Sequence, residues 1–269
     1  MSVEGVPTTP HEAIEALRAT FAELDEWRAV VRAPLVPAPG SQLWRDDRYM
    51  PRAPMSAQVS SKIGACVDHL QAFRVLCDAE SFHSSATYNL TRTALLTASE
   101  AYWVLGPEDA RVRIRRGLWL SDFDDSEQLN YLMQVAKIPQ SYKRRVATAA
   151  LAVKVRRAGI KVYAGALPGP GPTTNLDVIR WSATDLQPGL PHWAEQAAEQ
   201  WRVGSGHAHG WTYAALTGAQ PAAGAGRIGV VRDIQVGGNP VLAWQRYYVP
   251  FVTLQAVLRR WRELAAAPA

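Results

Sequence analysis

The stretch Val241–Trp261, VLAWQRYYVPFVTLQAVLRRW, decides the fold class. Val241, Trp244, Tyr248, Phe251, Leu254, Leu258 and Trp261 recur at steps of three or four, the repeat of a helix that buries one face. Pro250 inside it is expected to kink the helix. Working back along the chain, the same spacing returns. Val59, Ile63, Cys66, Leu70, Phe73 and Cys77 predict a helix from Ser56; a third runs from about Ser84 to Leu105, where Gly106-Pro107 breaks it. A fourth is expected from Pro107 to about Ala136, and a basic fifth from Gln140 to Ala158. A short helix is expected near Leu176–Ser182. Pro191–Leu216 also reads as helical, although each interior glycine at 204, 206 and 210 costs about 1 kcal/mol relative to alanine.

At the start of the chain, Thr9, Pro10 and Glu12 form a T-x-x-E capping signal. One helix is expected from there, with Ile14, Leu17, Phe21, Leu24 and Val31 on its buried stripe. Pro34, Pro37 and Pro39 end it, and a polar, Pro-rich connection runs to about Pro54. Strand–helix alternation is absent, so the expected fold is an all-α bundle of about seven helices. Its one exception is the stretch near 227–236, which reads as a short β-hairpin or simply as a loop. The expectation is a single domain over 1–269: an N-terminal helix and Pro-rich connection over 1–55, and a core bundle over 56–266.

Composition supports a folded chain: of 269 residues, 48% are hydrophobic and 20% charged. The longest uncharged stretch, Val203 to Gly226, is rich in glycine and holds two histidines, so no membrane span is expected. The first residues, Met1-Ser-Val-Glu4, lack the basic and apolar blocks of a signal peptide. Cys66 and Cys77 on one helix would lie roughly 16 Å apart at about 1.5 Å per residue, too far to bridge. A cytoplasmic location follows as the expectation. The net charge of +5 leans towards polyanionic partners, and ten tryptophans would suit either core packing or stacking on bases.

The densest polar cluster is Trp201-Arg-Val-Gly-Ser-Gly-His-Ala-His-Gly210. On a helix turning about 100° per residue, Arg202, Ser205 and His209 share one face and His207 points elsewhere. A guanidinium and an imidazole converging on one spot can handle a phosphodiester without metal. The first neutralises the phosphorus oxygens and the second moves a proton. The plainer reading is a capping or hydrogen-bond network where helices cross at glycines. His207-x-His209 would diverge on a helix and no third ligand is evident, so neither metal nor cofactor is expected.

The Arg202-x6-His209 and Arg202-x4-His207 spacings resemble the R-x4–6-H signature of the HEPN superfamily. The wider layout is similar to a group of actinobacterial HEPN-like proteins: Asp68-His69-Leu70, Arg92, Trp103-Val104-Leu105, the arginines at 111, 113, 115 and 116, and Ser205-x3-His209-Gly210. The resemblance implies a helical bundle, a homodimer with Arg/His sites facing across the interface, and metal-independent RNA cleavage. His209 would be the general acid/base, Arg202 the phosphate stabiliser and Ser205 an orienting group. His69 would stand behind them, and RNA would supply its own 2′-hydroxyl nucleophile. Lys143, Arg144 and Arg145, with His207, are the expected substrate-binding residues, and the basic helix continues through Lys154, Arg156 and Arg157. A solvated charged face is the alternative for that helix. Val203, where HEPN nucleases place a polar residue, favours a non-catalytic module that binds nucleotide, nucleic acid or protein.

A third reading starts from Asp122-Phe-Asp124-Asp125, literally D-x-D-D. Such carboxylates hold Mg²⁺ against a diphosphate, or supply a proton, in isoprenoid cyclases, where tryptophan faces steady carbocations. Ion pairing between helices explains the same acidic residues more economically.

Overall fold

Thr9 opens the first helix as expected. Its hydroxyl accepts the Glu12 amide at 3.3 Å, and the Glu12 carboxylate accepts the Thr9 amide at 3.1 Å. The single opening helix of the sequence reading is, however, two: α1 (Pro10–Ala19) and α2 (Phe21–Val30). Thr20 separates them. Its hydroxyl donates to the Leu17 carbonyl at 2.7 Å and lies 2.9 Å from the Tyr247 hydroxyl, which draws the backbone out of the regular ladder. The Pro-rich connection also holds a helix, α3 (Gln42–Asp47), capped by Ser41 Oγ accepting the Trp44 amide at 3.2 Å.

The computed structural model describes residues 6–50, 54–137, 143–169, 174–216, 220–221, 227–228, 231–232, 234–235 and 238–267. Helices α4 (Met55–Asp78) and α5 (Ser84–Leu105) follow the apolar spacing. Helix α6 (Ala110–Val135) begins later than expected, because Asp109, not Pro107, caps it: the carboxylate accepts the Arg111 amide at 2.8 Å. Helix α7 (Lys143–Gly165) runs past the expected end at Ala158, and its expected start at Gln140 lies outside the described residues. Helix α8 (Asn175–Leu186) has a second capping box, Thr174 with Asp177. The helical span expected from Pro191 divides into α9 (Pro191–Ala208) and α10 (Thr212–Leu216).

Between α10 and the last helix, β1 (Gln220–Pro221) pairs antiparallel with β4 (Ile234–Gln235), and β2 (Arg227–Ile228) with β3 (Val231–Arg232). The second pair lies within the hairpin expected over 227–236. Both ladders are two residues long, so the architecture is all-α. Helix α11 (Pro240–Ala265) closes the chain. Among the described residues no helix is long and apolar enough to cross a membrane.

The helices build two compact units, each drawn from three separate stretches: Met1–Leu35, Ser60–Trp103 and Thr174–Arg260 in the first, Val36–Val59, Val104–Thr173 and Trp261–Ala269 in the second. In the first unit Leu95, Ile179, Ala183, Ala197 and Val249 form one buried cluster, with Trp193 and Trp201 packed on it. A second group stacks aromatic rings: Phe73 on Tyr247 at 4.9 Å, Tyr247 on Phe251 at 5.6 Å, and Trp27 against Phe251 at 4.7 Å. Cys66 and Cys77 are free and buried here, and burial pushes both thiols up, Cys77 to about 11.

Pro250 lies inside α11 and has no amide hydrogen, so the carbonyl of Arg246 loses its helical donor. The side-chain amide of Gln200, buried on α9, donates to that carbonyl instead.

The second unit is organised by ion pairs. Arg113, 1% exposed, donates to Asp46 Oδ2 at 2.9 and 2.8 Å and to the carbonyls of Pro107 and Glu108 at 2.9 and 2.7 Å. Burial pushes the Asp46 carboxyl above its ordinary range even though Arg113 pulls the other way. Along α6 and α7, Arg156 pairs with Asp125, and Arg157 with Asp122 at 2.7 Å.

Candidate functional site

The end of α9 is set by Gly210, whose φ of +66° is left-handed and favours a residue without Cβ. The Trp211 amide donates to the Gly206 carbonyl at 2.9 Å, and the Gly210 amide to the His207 carbonyl at 3.2 Å. These two bonds are the Schellman closure of a helix. The helical face expected to carry Arg202, Ser205 and His209 therefore stops at Ala208. His209 is the capping residue, with φ −97° and ψ 0°, rather than a member of a regular turn.

From that cap the chain turns outward. His209 stacks on Trp211 with ring centroids 5.1 Å apart, and Trp211 leans on Tyr213 at 6.0 Å. All three rings are exposed, Trp211 by 52% and Tyr213 by 49%. Tyr213 Oη donates to the backbone carbonyl of Arg202 at 3.0 Å, which ties this aromatic step to the exposed Arg202. Arg202 and His209 thus share one helix end, as residues beside a row of rings.

Ser205 and His207 face inward. Gly204 and Gly206 let α9 approach its neighbours closely: a Cβ at 204 would lie 2.6 Å from Arg92 Cβ, and one at 206 would lie 2.6 Å from Ala214 Cβ. Arg92, from α5, donates from Nε to Ser205 Oγ at 2.7 Å and holds its guanidinium 5.5 Å from the Trp201 ring centre. Burial lowers its pKa. His207, 7% exposed, lies flat on Tyr88 with centroids 4.2 Å apart and rings 11° from parallel. Its Nδ1 is 3.4 Å from Ser85 Oγ, and its Nε2 is buried with no hydrogen-bond partner among the described residues. Burial first, and then the charge of Arg246, hold its pKa below the ordinary 6.5, so the ring is neutral at pH 7. Arg246 stands 5.5 Å over Tyr88 and forks onto Glu199, one arm at 2.9 Å. Burial works against the Arg246 charge, and the Glu199 carboxylate outweighs it, leaving the pKa raised.

The remaining expected residues lie on other elements. His69 is half-buried on α4, and among the described residues no hydrogen bond joins it to Ser205 or His207. Lys143, Arg144 and Arg145 are exposed on the first turn of α7, in the second unit. Arg156 and Arg157, expected to extend their basic face, are occupied by Asp125 and Asp122. The same bonds engage the carboxylates of the D-x-D-D motif. The Asp122 and Asp125 carboxylates receive guanidinium hydrogens, the ion-pair explanation, and Asp124 is also engaged.

The sequence reading missed Ser85, Tyr88, Glu199 and Arg246 as site residues, and quoted Arg92 only as part of the HEPN-like layout. Gly204-x-Gly206 was the available signal, since small residues on a helix mark where another element comes close. No protein-family model, no curated protein and no solved structure matches this chain.

Proposed function

We propose that this protein binds single-stranded RNA at the end of α9. His209, Trp211 and Tyr213 would serve as the platform for bases, and Arg202 as the contact for phosphate. The observation that carries this reading is the exposed row of three rings, His209 stacked on Trp211 and Trp211 tilted against Tyr213, anchored to the backbone of Arg202. Soluble proteins leave few large aromatics in contact with one another and with water, and a π-face accepts any base. The net charge of +5 and the exposed Lys143–Arg145 turn add a general attraction for polyanions.

Cleavage is the second reading, in the form the HEPN resemblance implies. It is favoured by one observation: the imidazole of His209 and the guanidinium of Arg202 are both exposed at one helix end. His209 would move the proton and Arg202 would neutralise the phosphate, with a second subunit facing the first. Ser205 takes no part as an orienting group in this version, since its hydroxyl is held by Arg92.

The test is a mixed RNA pool with excess chelator, given to the parent protein, Trp211→Ala and His209→Ala of matched fold and oligomeric state. Retention of RNA by the parent, weakened in Trp211→Ala and without product, is the expected result. Product that disappears with His209→Ala would move the conclusion to a metal-independent nuclease. Absence of both retention and cleavage would remove RNA from consideration.

A further inference from the structure

A cleft of 290 Å³ opens between α9 and α11, apart from the aromatic step. Its wall is aromatic. Trp244 stacks on Tyr248 at 5.0 Å with rings 17° apart, and Trp193 meets Tyr248 edge-on at 6.2 Å and 85°. Besides Trp244, the buried residues Gln200 and Val249 contribute to the lining. Gln200 is held by its bond to the Arg246 carbonyl, and Val249 belongs to the core cluster. Exposed Gln196 and Gln245 also belong to the lining, each with an amide donor and acceptor.

Charge and hydrogen bonding narrow the occupant. The charged lining residues are Glu199 and Arg246, and they are forked onto each other, so the lining carries no net charge. An anion would have to displace Glu199 from Arg246, and a cation would have to displace Arg246 from Glu199. The donors that a molecule in the cleft can reach are the exposed side-chain amides of Gln196 and Gln245, since Trp193 Nε1–H and Arg246 Nε–H are buried. The volume is at the lower end of small-molecule pockets, which suits one or two rings.

We infer that this cleft is a binding site for a small, flat, uncharged heteroaromatic molecule that carries a hydrogen-bond acceptor. The ring stacks within the Trp193, Trp244 and Tyr248 frame, and the acceptor takes a hydrogen from the side-chain amide of Gln196 or Gln245. The site does not depend on RNA binding at the end of α9.

Three probes separate the elements of this proposal, each titrated calorimetrically into the full chain. Nicotinamide has the flat ring, the acceptor and no charge. Nicotinate keeps the ring and adds a negative charge, while cyclohexanecarboxamide keeps the amide and loses the flatness. Nicotinamide is expected to saturate the protein with a Kd on the order of a millimolar, and the other two to bind at least about tenfold more weakly. The double variant Gln196→Leu with Gln245→Leu, which removes both reachable amides, is expected to weaken nicotinamide several-fold with an unchanged melting curve. Trp244→Ala is expected to weaken it further. Trp211→Ala, on the aromatic step, is expected to leave nicotinamide binding unchanged. The proposal is overturned if nicotinamide shows no saturation by about 10 mM. It is equally overturned if nicotinate binds as well, or if neither the Gln196→Leu with Gln245→Leu variant nor Trp244→Ala changes the affinity.

Discussion

On the α6–α7 pair of the second unit, arginines close onto aspartates: Arg156 on Asp125, Arg157 on Asp122, and near the start of α6 Arg113 on Asp46. At the end of α9 in the first unit, the polar side chains are less completely answered. Among the described residues His207 has a buried nitrogen without a partner, and Arg202 and the rings from His209 to Tyr213 face water. Charge density is higher in the first of these regions, yet Arg113, Arg156 and Arg157 use theirs in holding helices together. A site is better recognised by what its neighbours leave unmatched than by how many charged residues it gathers.

That contrast can be broken most sharply at Arg113. Arg113→Ala leaves Asp46 buried and without its cation, and should lower unfolding stability by about 3–5 kcal/mol in a urea titration. A loss below about 1 kcal/mol would show that the ion pairs of this unit are decoration. Gly204→Val asks whether the first unit is just as tightly fixed where α9 meets α5. The new side chain would begin 2.6 Å from Arg92 Cβ, so a loss of about 1–3 kcal/mol is expected, together with a shift in the Arg92 side-chain resonances.

Trp211→Ala tests the open side of the comparison. Removing one stacking face should weaken single-stranded RNA by about tenfold in an anisotropy titration, with stability unchanged within about 0.5 kcal/mol. His207 tests the buried side. Its folded pKa is depressed, so the unfolded chain takes up the proton first as the pH falls below the ordinary 6.5. The stability it contributes is complete above that pH and is lost as the pH drops through the folded value. His207→Phe, which keeps a ring against Tyr88, should remove this part of the acid sensitivity, seen as a smaller drop in urea midpoint between about pH 7.5 and pH 5. The smallest effect belongs to Arg157→Ala. Its pair with Asp122 is partly solvated, so a loss of about 0–1 kcal/mol is expected, with RNA affinity unchanged because that arginine is already engaged.

Long helices were legible in the sequence because their evidence is repeated many times. Six apolar residues on α4 and seven on α11 all agree on one face, and no local exception can overturn them. Features decided by a single side chain were not. The break at Thr20 depends on one hydroxyl, and α3 is too short for periodicity to register. At the candidate site, Arg202 and His209 were legible as neighbours, but their geometry was not. The assumption of 100° per residue holds only inside a helix, and Gly210 ends α9 before His209 completes the face. Tyr88 and Arg246 come to His207 from α5 and α11, and no spacing rule links residues so far apart in the chain.

Pro250 and Gln200 make a lock of two parts. The proline removes a donor from α11, and the glutamine of α9 occupies the carbonyl left over. Pro250→Ala would return an amide that competes for that carbonyl, stranding Gln200 in the core with an amide to satisfy. Gln200→Leu alone would strand the carbonyl. Changing both together removes the demand and the supply at once, so the double variant should be less damaged than the sum of the singles. The two positions are therefore expected to tolerate change only in step, an epistatic couple created by an atom that proline does not have.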